Sequence, residues 1–254
     1  MRSNNVSEIS KKHPNNSIHF TLQGKGGVGK SLVSSLLAQY FNSIDGCTVK
    51  CVDTDPVNQT LSNYKALNAQ HIQLMNGSKI NERNFDHLME RLMTEEGIFV
   101  VDNGASSFVP LSNYLIENNA ISMLKESGRN VFIHSVLTGG QALMDTLAGF
   151  KSLAEQADTN NIVIWLNEYF GAIEANGKTF TEMKVYTENA HKVRGIVRII
   201  ERNQDTFGKD MEVMASKKLT FSEVLSGTDF TLMAKQRIKT VQRELNEQLD
   251  AIGF

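Results

Sequence analysis

Eight consecutive residues, Gly24-Lys25-Gly26-Gly27-Val28-Gly29-Lys30-Ser31, have the types and the spacing of a phosphate-binding loop. Glycines permit backbone angles that turn successive N–H groups inward, where they can donate hydrogen bonds to an anion. We expect Lys30 to reach the β- and γ-phosphates of a nucleotide and the Ser31 hydroxyl to hold Mg²⁺. A flexible glycine turn is the alternative, which the full eight-residue match disfavours. Together with Leu32, these residues form the predicted nucleotide-binding loop.

Two predicted elements flank this loop. Before it, Ile18-His19-Phe20-Thr21-Leu22 alternates apolar and polar residues as a strand does, and after it Leu32 to Phe41 is apolar at helical spacing. A loop between a strand and the start of a helix also gains the positive end of the helix dipole. The flanking sequence therefore supplies the context that a phosphate-binding loop needs.

Two aspartates stand at the end of the second predicted strand, Thr48 to Asp53. Asp53 and Asp55 are two residues apart, so we expect both on one side of the strand, facing the crevice in which α/β folds bind ligands. A carboxylate pair of this kind suits Mg²⁺-bound water or a hydrolytic water. The alternative is that both aspartates cap the turn that Pro56 favours.

Two further predicted strands end in a polar residue that suits a nucleotide site. Gly97 to Asp102 has four apolar residues before its aspartate, as in a Walker B strand, so Asp102 is expected to bind Mg²⁺ through a water. The same pattern also ends many ordinary strands. Asn161 to Asn167 ends in an amide, which can match the adjacent N6 and N7 of adenine or can simply form a strand-end turn. Asn167 is therefore the candidate base-binding residue.

The chain as a whole predicts one α/β domain. With further predicted strands at Asn130 to Leu137 and Gly195 to Ile200, the 254 residues suit a mostly parallel, twisted sheet with helices on both faces. We expect residues 1–16 to be a mobile N-terminal lead-in and residues 17–254 to be the single domain. Glu168 to Gly177 is expected to be a mobile loop.

Charge and hydropathy exclude several classes of protein. With 26 basic and 28 acidic residues the formal charge is −2, which provides no global field for nucleic acid. No apolar run approaches the ~18 residues that span a bilayer, and the first sixteen residues lack the apolar core of a signal peptide. We therefore expect a cytoplasmic protein. Cys47 and Cys51, the only two cysteines, make no disulfide framework.

The second lysine of the loop indicates a particular class. The form K-G-G-x-G-K-S, with Lys25 just after the first glycine, resembles the deviant Walker A motif of ParA/MinD-like P-loop ATPases. The resemblance implies that Lys25 crosses a dimer interface to the partner's nucleotide and that Asp55 orients the attacking water. A solvated loop charge is the alternative for Lys25. The expected catalytic residues are thus Lys25, Lys30 and Asp55, and the expected Mg²⁺ residues are Ser31, Asp53 and Asp102.

Segments along most of the chain resemble one family within that class, the TraL proteins of plasmid conjugal transfer systems. They include Cys51-Val52-Asp53-Thr54-Asp55-Pro56-Val57-Asn58, Val101-Asp102-Asn103-Gly104-Ala105-Ser106-Ser107-Phe108 and Val163-Ile164-Trp165-Leu166-Asn167. The resemblance implies an ATP- and Mg²⁺-dependent accessory ATPase of conjugal DNA transfer, slow without a partner, which forms a nucleotide-dependent homodimer. Other conjugal transfer proteins are the partners it suggests. Asn103-Gly104 departs from the D-x-P that the wider class commonly has there.

Three questions stay open at the level of sequence. A plasmid partition-type ATPase that rides on DNA, and a nucleotide-gated interaction module with little or no hydrolysis, are the alternative functions. DNA contact is therefore undecided. The C-terminal stretch has an apolar face that could lie on a membrane, although its acidic residues favour docking on its own domain. That face consists of Ile238, Val241, Leu245, Leu249 and Ile252.

Overall fold

The computed structural model describes residues 15–76, 79–157 and 159–254, and a parallel sheet of seven strands forms the centre of this part of the chain. Its strands are β1 (Ser17–Thr21), β2 (Val49–Asp53), β3 (Gln70–His71), β6 (Ile98–Asp102), β7 (Asn130–Thr138), β8 (Ile162–Asn167) and β11 (Val193–Ile199). They run side by side in the order β11-β8-β7-β1-β6-β2-β3, with every neighbouring pair parallel. The predicted mostly parallel sheet is confirmed.

Two short antiparallel hairpins and a set of helices surround this sheet. The hairpins pair β4 (Met75–Asn76) with β5 (Lys79–Ile80) and β9 (Glu174–Ala175) with β10 (Lys178–Thr179). The α-helices of the described residues are α1 (Lys30–Asn42), α2 (Asn84–Thr94), α3 (Phe108–Glu117), α4 (Ala120–Glu126), α5 (Leu143–Gln156), α6 (Lys184–Thr187), α7 (Lys209–Ser216), α8 (Phe221–Ser226) and α9 (Leu232–Ile252).

Alternate residues of the central strands pack into two separate cores, as expected for a sheet that is covered on both faces. In β8, Ile162 and Ile164 belong to one core, and Val163 and Trp165 belong to the other. Helices α2 to α5 contribute to the first core, and α1, α7, α8 and α9 contribute to the second. Helices therefore lie on both faces, as predicted.

The C-terminal helix α9 docks on the second core. The five residues of its predicted apolar face are all buried there, so within the described residues this face is not available to a membrane. Phe254, just beyond the helix, packs edge-on against the rings of His19 and Phe132. In the part of the chain that the structure describes, no helix is long and apolar enough to cross a membrane.

Two segments were expected to be mobile, the lead-in of residues 1–16 and the loop from Glu168 to Gly177. The expected lead-in lies outside the described residues except for its last two, which hydrogen-bond to the body of the protein: the amide N–H of Thr48 donates to Asn15 Oδ1, and that of Asn130 donates to the Asn16 carbonyl. The expected mobile loop, Glu168 to Gly177, instead contains a 3₁₀ turn and the first strand of the β9–β10 hairpin. Ile173 and Phe180, which flank this hairpin in the chain, are buried in the first core.

A chain of buried polar side chains crosses the centre of the sheet. The Trp165 indole N–H donates to His134 Nδ1 (2.9 Å), so His134 must donate from Nε2 to His19 Nδ1 (2.9 Å) and His19 from Nε2 to the Ser17 hydroxyl (3.0 Å). Burial lowers the pKa of His134 to about 3 and also lowers that of His19. Both rings are therefore neutral structural residues, His19 in β1, which leads into the glycine loop, and His134 in the neighbouring β7.

Candidate nucleotide-binding site

The glycine loop leaves the end of β1 and leads into the first turn of α1. Two of its glycines have left-handed backbone angles, with φ of 75° at Gly27 and 102° at Gly29. A side chain at Gly29 would also place its Cβ 2.8 Å from Nδ2 of Asn167. Position 29 thus requires glycine for two independent reasons. Just before the loop, the Gln23 amide donates to the carbonyls of Val136 and Thr146, both at 3.1 Å, and anchors the end of β1.

Lys30 lies inside the loop instead of in solvent. Its side chain is buried, and its ammonium donates to the Lys25 carbonyl at 2.9 Å. Burial lowers the pKa of Lys30, while the carboxylates of Asp102 and Asp55 oppose that shift. Among the described residues this carbonyl is its one hydrogen-bond partner, and a desolvated ammonium can exchange such a partner for a stronger anionic acceptor.

Asp102 ends β6 directly beside the loop, because the parallel register aligns it with Thr21 on one side and Asp53 on the other. Its Oδ1 accepts from the Ser34 hydroxyl at 2.9 Å, but its Oδ2 is buried and has no hydrogen-bond partner in the part of the chain that the structure describes. Burial raises the pKa of Asp102 to about 7, the charge of Asp53 adds to that rise, and the nearby Ser31 and Ser34 hydroxyls oppose it.

An orphaned carboxylate oxygen beside a serine hydroxyl fits a hard divalent cation such as Mg²⁺, which takes oxygen ligands. No cluster of three or more His, Cys, Asp or Glu ligands occurs among the described residues. Mg²⁺ in nucleotide sites uses one or two protein carboxylates together with the phosphates. Ser31 and Asp102 are therefore the residues that would hold it.

Asp53 and Asp55 organise the turn that follows β2. Asp53 is fully buried, and its two oxygens accept from the backbone N–H groups of Asp55 and Ser62, both at 3.0 Å. Asp55 Oδ1 accepts from the N–H groups of Val57 (2.9 Å) and Asn58 (3.0 Å). These bonds correspond to the turn-capping alternative, and they occupy one acceptor site on each Asp53 oxygen. The metal role of Asp53 and the water-orienting role of Asp55 stay predictions.

Gly104 allows Asp55 to sit at the strand ends. A Cβ on Gly104 would lie 2.5 Å from Cγ of Asp55, so any side chain there would displace the carboxylate. Asp55 is half-buried and lines the same cavity as Gly26, Lys30 and Ser31. The close approach of Asp55 to the backbone thus depends on glycine at position 104, where the sequence departs from the D-x-P of the wider class.

The two remaining predicted residues have partners within this chain. Lys25 pairs with Asp145 in the first turn of α5, at 2.7 Å between two roughly half-exposed side chains. Asn167 is buried, with Nδ2 donating to the Val28 carbonyl (2.9 Å) and Oδ1 accepting from the Tyr169 N–H (3.3 Å). Asn167 therefore tethers the glycine loop to β8. A reach across a dimer for Lys25 and a base contact for Asn167 stay predictions.

Two cavities meet at the loop. The first, of about 500 Å³, is lined by loop residues together with Asp55, Tyr64 and Ser106. The second, of about 380 Å³, has mostly apolar walls, and its lining includes Tyr169, Phe170, Ile199, Phe207, Met211 and Val241. Both are lined by Gly27, Gly29, Leu32, Ala215 and Lys218, so the two cavities adjoin, and together they are called the groove. We call them the phosphate half and the base half of the groove.

Of the walls of the base half, only the loop residues and Asn167 were predicted. The other walls come from the turn after β8, the segment after β11, α7 and α9, and these segments carry no local motif that marks them. Only the fold brings them to the loop. A polar half and an apolar half of this combined size suit a small ligand with a charged end and a flat, weakly polar end.

Comparison with known proteins agrees with this geometry. The family model described as the CobQ/CobB/MinD/ParA nucleotide binding domain matches residues 20–253. Two relatives from Escherichia coli, each named Protein TraL, are 49% and 46% identical over 235 and 234 residues, and each alignment covers 92% of this chain and 97% of the relative. The chain belongs to the TraL family of MinD/ParA-type nucleotide-binding proteins.

This family assignment confirms the resemblance that the motifs indicated. Among solved structures, that of MinD cell division protein from Aquifex aeolicus shares 16% of its residues with this TraL-family chain. The match covers 91% of this chain and 96% of the MinD chain, with a TM-score of 0.49. At this identity and TM-score the likeness carries no information about function.

Proposed function

We propose that this TraL-family protein binds Mg·ATP in the groove and hydrolyses it slowly, as a cytoplasmic switch in plasmid conjugal DNA transfer. The observation that carries the proposal is the convergence, at one loop, of a buried ammonium on Lys30 and an orphaned oxygen on Asp102. Each is costly to bury alone, and each is complementary to one part of Mg·ATP.

The residues of the chain divide the work as follows. The loop N–H groups and Lys30 bind the phosphates, with Lys30 exchanging the Lys25 carbonyl for a phosphate oxygen. Ser31 and Asp102 would hold Mg²⁺, which would supply charge neutralisation at the phosphates. Asp55 orients a water whose oxygen bonds to the γ-phosphorus as the bond to the bridging oxygen breaks and ADP leaves with the electron pair. Phosphoryl transfer asks mainly for positioning, so slow turnover is expected from this set alone.

Calorimetric titration with Mg·ATP tests the binding step. We expect Lys30→Ala to weaken binding at least a hundredfold, because it removes a desolvated charge that contacts the phosphates. Tripolyphosphate should lose affinity in parallel, since the lysine serves the phosphate half only. Wild-type affinity for Mg·ATP in the Lys30→Ala variant would contradict the proposal.

Dimerisation is the step at which Lys25 acts. We infer that its pair with Asp145 holds it within its own subunit, and that ATP-dependent dimerisation transfers it to the nucleotide of the partner. Asp145→Asn should therefore lower the ATP concentration at which dimers form, by about threefold, because an exposed ion pair is weak. Lys25→Ala should abolish the ATP-dependent dimer.

Size-exclusion chromatography with mass measurement, at several ATP concentrations, checks both variants. Glu155→Gln is the matched control, because it removes an ion pair between Glu155 and Lys151 that lies on the same helix, α5. It should leave the dimerisation curve unchanged. A Lys25→Ala protein that still dimerises with ATP would show that the lysine is only a loop charge.

The second candidate function is a nucleotide-gated interaction module with little or no hydrolysis. The hydrogen bonds of Asp53 and Asp55 favour it, because both carboxylates already cap their turn. In that case Asp55→Asn would leave binding of nucleotide and of any other conjugal transfer protein unchanged, and the wild type would release no phosphate above background. Phosphate release measured over hours distinguishes the two.

A further inference from the structure

The end of α7 has a residue that does not fit its backbone position. The amide of Lys218 donates to the Ala215 carbonyl (3.2 Å), and that of Leu219 donates to the Met214 carbonyl (3.0 Å). This pair of bonds is a Schellman motif, in which the residue at the Lys218 position adopts the left-handed conformation and is usually glycine. Lys218 has a φ of 55° there. A lysine at this point costs stability that a glycine would not.

Packing around the turn keeps it in this form. Met214 is buried in the second core, and Leu219 packs against the same core from the other side of the turn. A hydrophobic contact of this kind commonly accompanies the motif. The left-handed angle is therefore imposed by the fold, and the choice of lysine needs another explanation.

The side chain of Lys218 lies at the junction of the two halves of the groove. It is half-buried and lines both cavities. Its ammonium lies 5.6 Å from the centre of the Tyr64 ring, and among the described residues that ring is its one side-chain partner. The neighbouring Lys217, by contrast, pairs with Asp229 at 2.8 Å. Lys218 thus presents a cation without a counter-ion to the groove.

We propose that Lys218 is a further nucleotide-binding residue, whose ammonium binds the polyphosphate from the α7 wall of the groove while the glycine loop binds it from β1. The inference rests on the proposed function, since it names an additional contact for the same ligand. The phosphates are the expected partner because they are anionic, and because Lys218 lines the phosphate half together with Lys30 and Ser31.

Three variants at one position separate binding from folding. Lys218→Ala and Lys218→Gly both remove the ammonium, but only glycine relieves the left-handed backbone. We expect each to weaken Mg·ATP and Mg·ADP about tenfold, as for loss of one charge-assisted hydrogen bond. Adenosine should change less than twofold. Lys218→Arg keeps a cation and should retain affinity within about threefold of wild type.

Thermal unfolding supplies the second readout. The Gly variant should unfold about 2–4 °C above the Ala variant, because the two differ chiefly in the backbone strain at position 218. Their ATP affinities should nevertheless be equal. Lys217→Ala is the control, since it removes an adjacent charge that lies outside the groove, and it should bind Mg·ATP as the wild type does.

The outcomes are distinct. Affinity that follows melting temperature across the series, or wild-type affinity in both Ala and Gly variants, would show that Lys218 only shapes the turn. An equal loss for adenosine and ATP would place the ammonium against the base and overturn the phosphate contact. If the wild type unfolded cooperatively but bound no Mg·ATP, the proposed function itself would be wrong, and the Lys218 contact with it.

Discussion

The two halves of the groove are built in opposite ways. The phosphate half is local: a single loop between β1 and α1 supplies the backbone donors, the ammonium of Lys30 and the Ser31 hydroxyl. The base half is assembled from β8, from the segment after β11, from α7 and from α9, which are far apart along the chain. The difference teaches that the charged end of a ligand can be recognised by a short motif, whereas the flat end depends on the whole fold.

The largest of three further expected effects is on the free energy of unfolding, through His19 and His134 in the strands behind the phosphate half. His134 and His19 are neutral in the folded chain, with pKa values below the ordinary value of about 6.5, whereas both take up protons when the chain unfolds in acid. Their contribution is therefore complete above pH 6.5 and is lost as the pH falls below it. His134 alone should remove about 2 kcal/mol of the free energy of unfolding between pH 7 and pH 5.

Denaturant titrations at pH 7 and pH 5 measure this loss. His134→Gln should remove this loss, since it lacks the titrating group and keeps a side chain that can hydrogen-bond. Asp102, whose pKa is raised, titrates in the opposite sense in both proteins and therefore cancels when the variant is compared with the wild type. A His134→Gln protein with the same pH dependence as the wild type would contradict the neutral assignment of that ring.

The next effect, a loss of ATP turnover of about tenfold, tests whether Asp55 of the phosphate half takes part in hydrolysis. Gly104→Ala would displace the Asp55 carboxylate, because the new Cβ would lie 2.5 Å from Cγ. We expect ATP turnover to fall about tenfold, within the range for a misplaced water-orienting group, while the affinity for Mg·ATP stays within twofold. Asp55→Asn is the reference variant, and the double variant should lose no more than either single one. Additive losses would show that Gly104 acts elsewhere.

The smallest expected effect is a loss of ligand affinity in the base half of the groove. Phe207 lines the base half, so Phe207→Ala should weaken adenosine and Mg·ATP by the same factor, about fivefold, through lost apolar contact. Tripolyphosphate should bind as before. Phe230→Ala is the matched control, because that ring packs against the same core but does not line the groove. Calorimetry with the three ligands would contradict the division into halves if tripolyphosphate also lost affinity.

The same contrast explains how much could be predicted from the sequence. Alternation before the loop and apolar runs that end in polar residues predicted the central strands and the fold class, and the parallel register then brought Asp53 and Asp102 together beside the loop. The positions of Lys30, Ser31 and Asp102 followed from local spacing. A short motif carries this information because the chemistry of phosphate binding is largely backbone geometry.

The partners of individual side chains could not be predicted. Nothing in the spacing indicates that Lys25 pairs with Asp145, 120 positions away, or that both polar groups of Asn167 are engaged by the Val28 carbonyl and its own turn. The left-handed angle at Lys218 is equally invisible, because a helix end with lysine in place of glycine shows no signal for that turn. These features depend on tertiary packing.

Hydrogen–deuterium exchange with and without Mg·ATP tests the central claim most directly, because it reports on both halves of the groove in one experiment. The account predicts that residues 24–32 and residues 204–218 become protected together, with the Lys30→Ala variant losing both protections. Protection of neither segment, or of the glycine loop alone, would contradict the claim that one nucleotide occupies both halves of the groove.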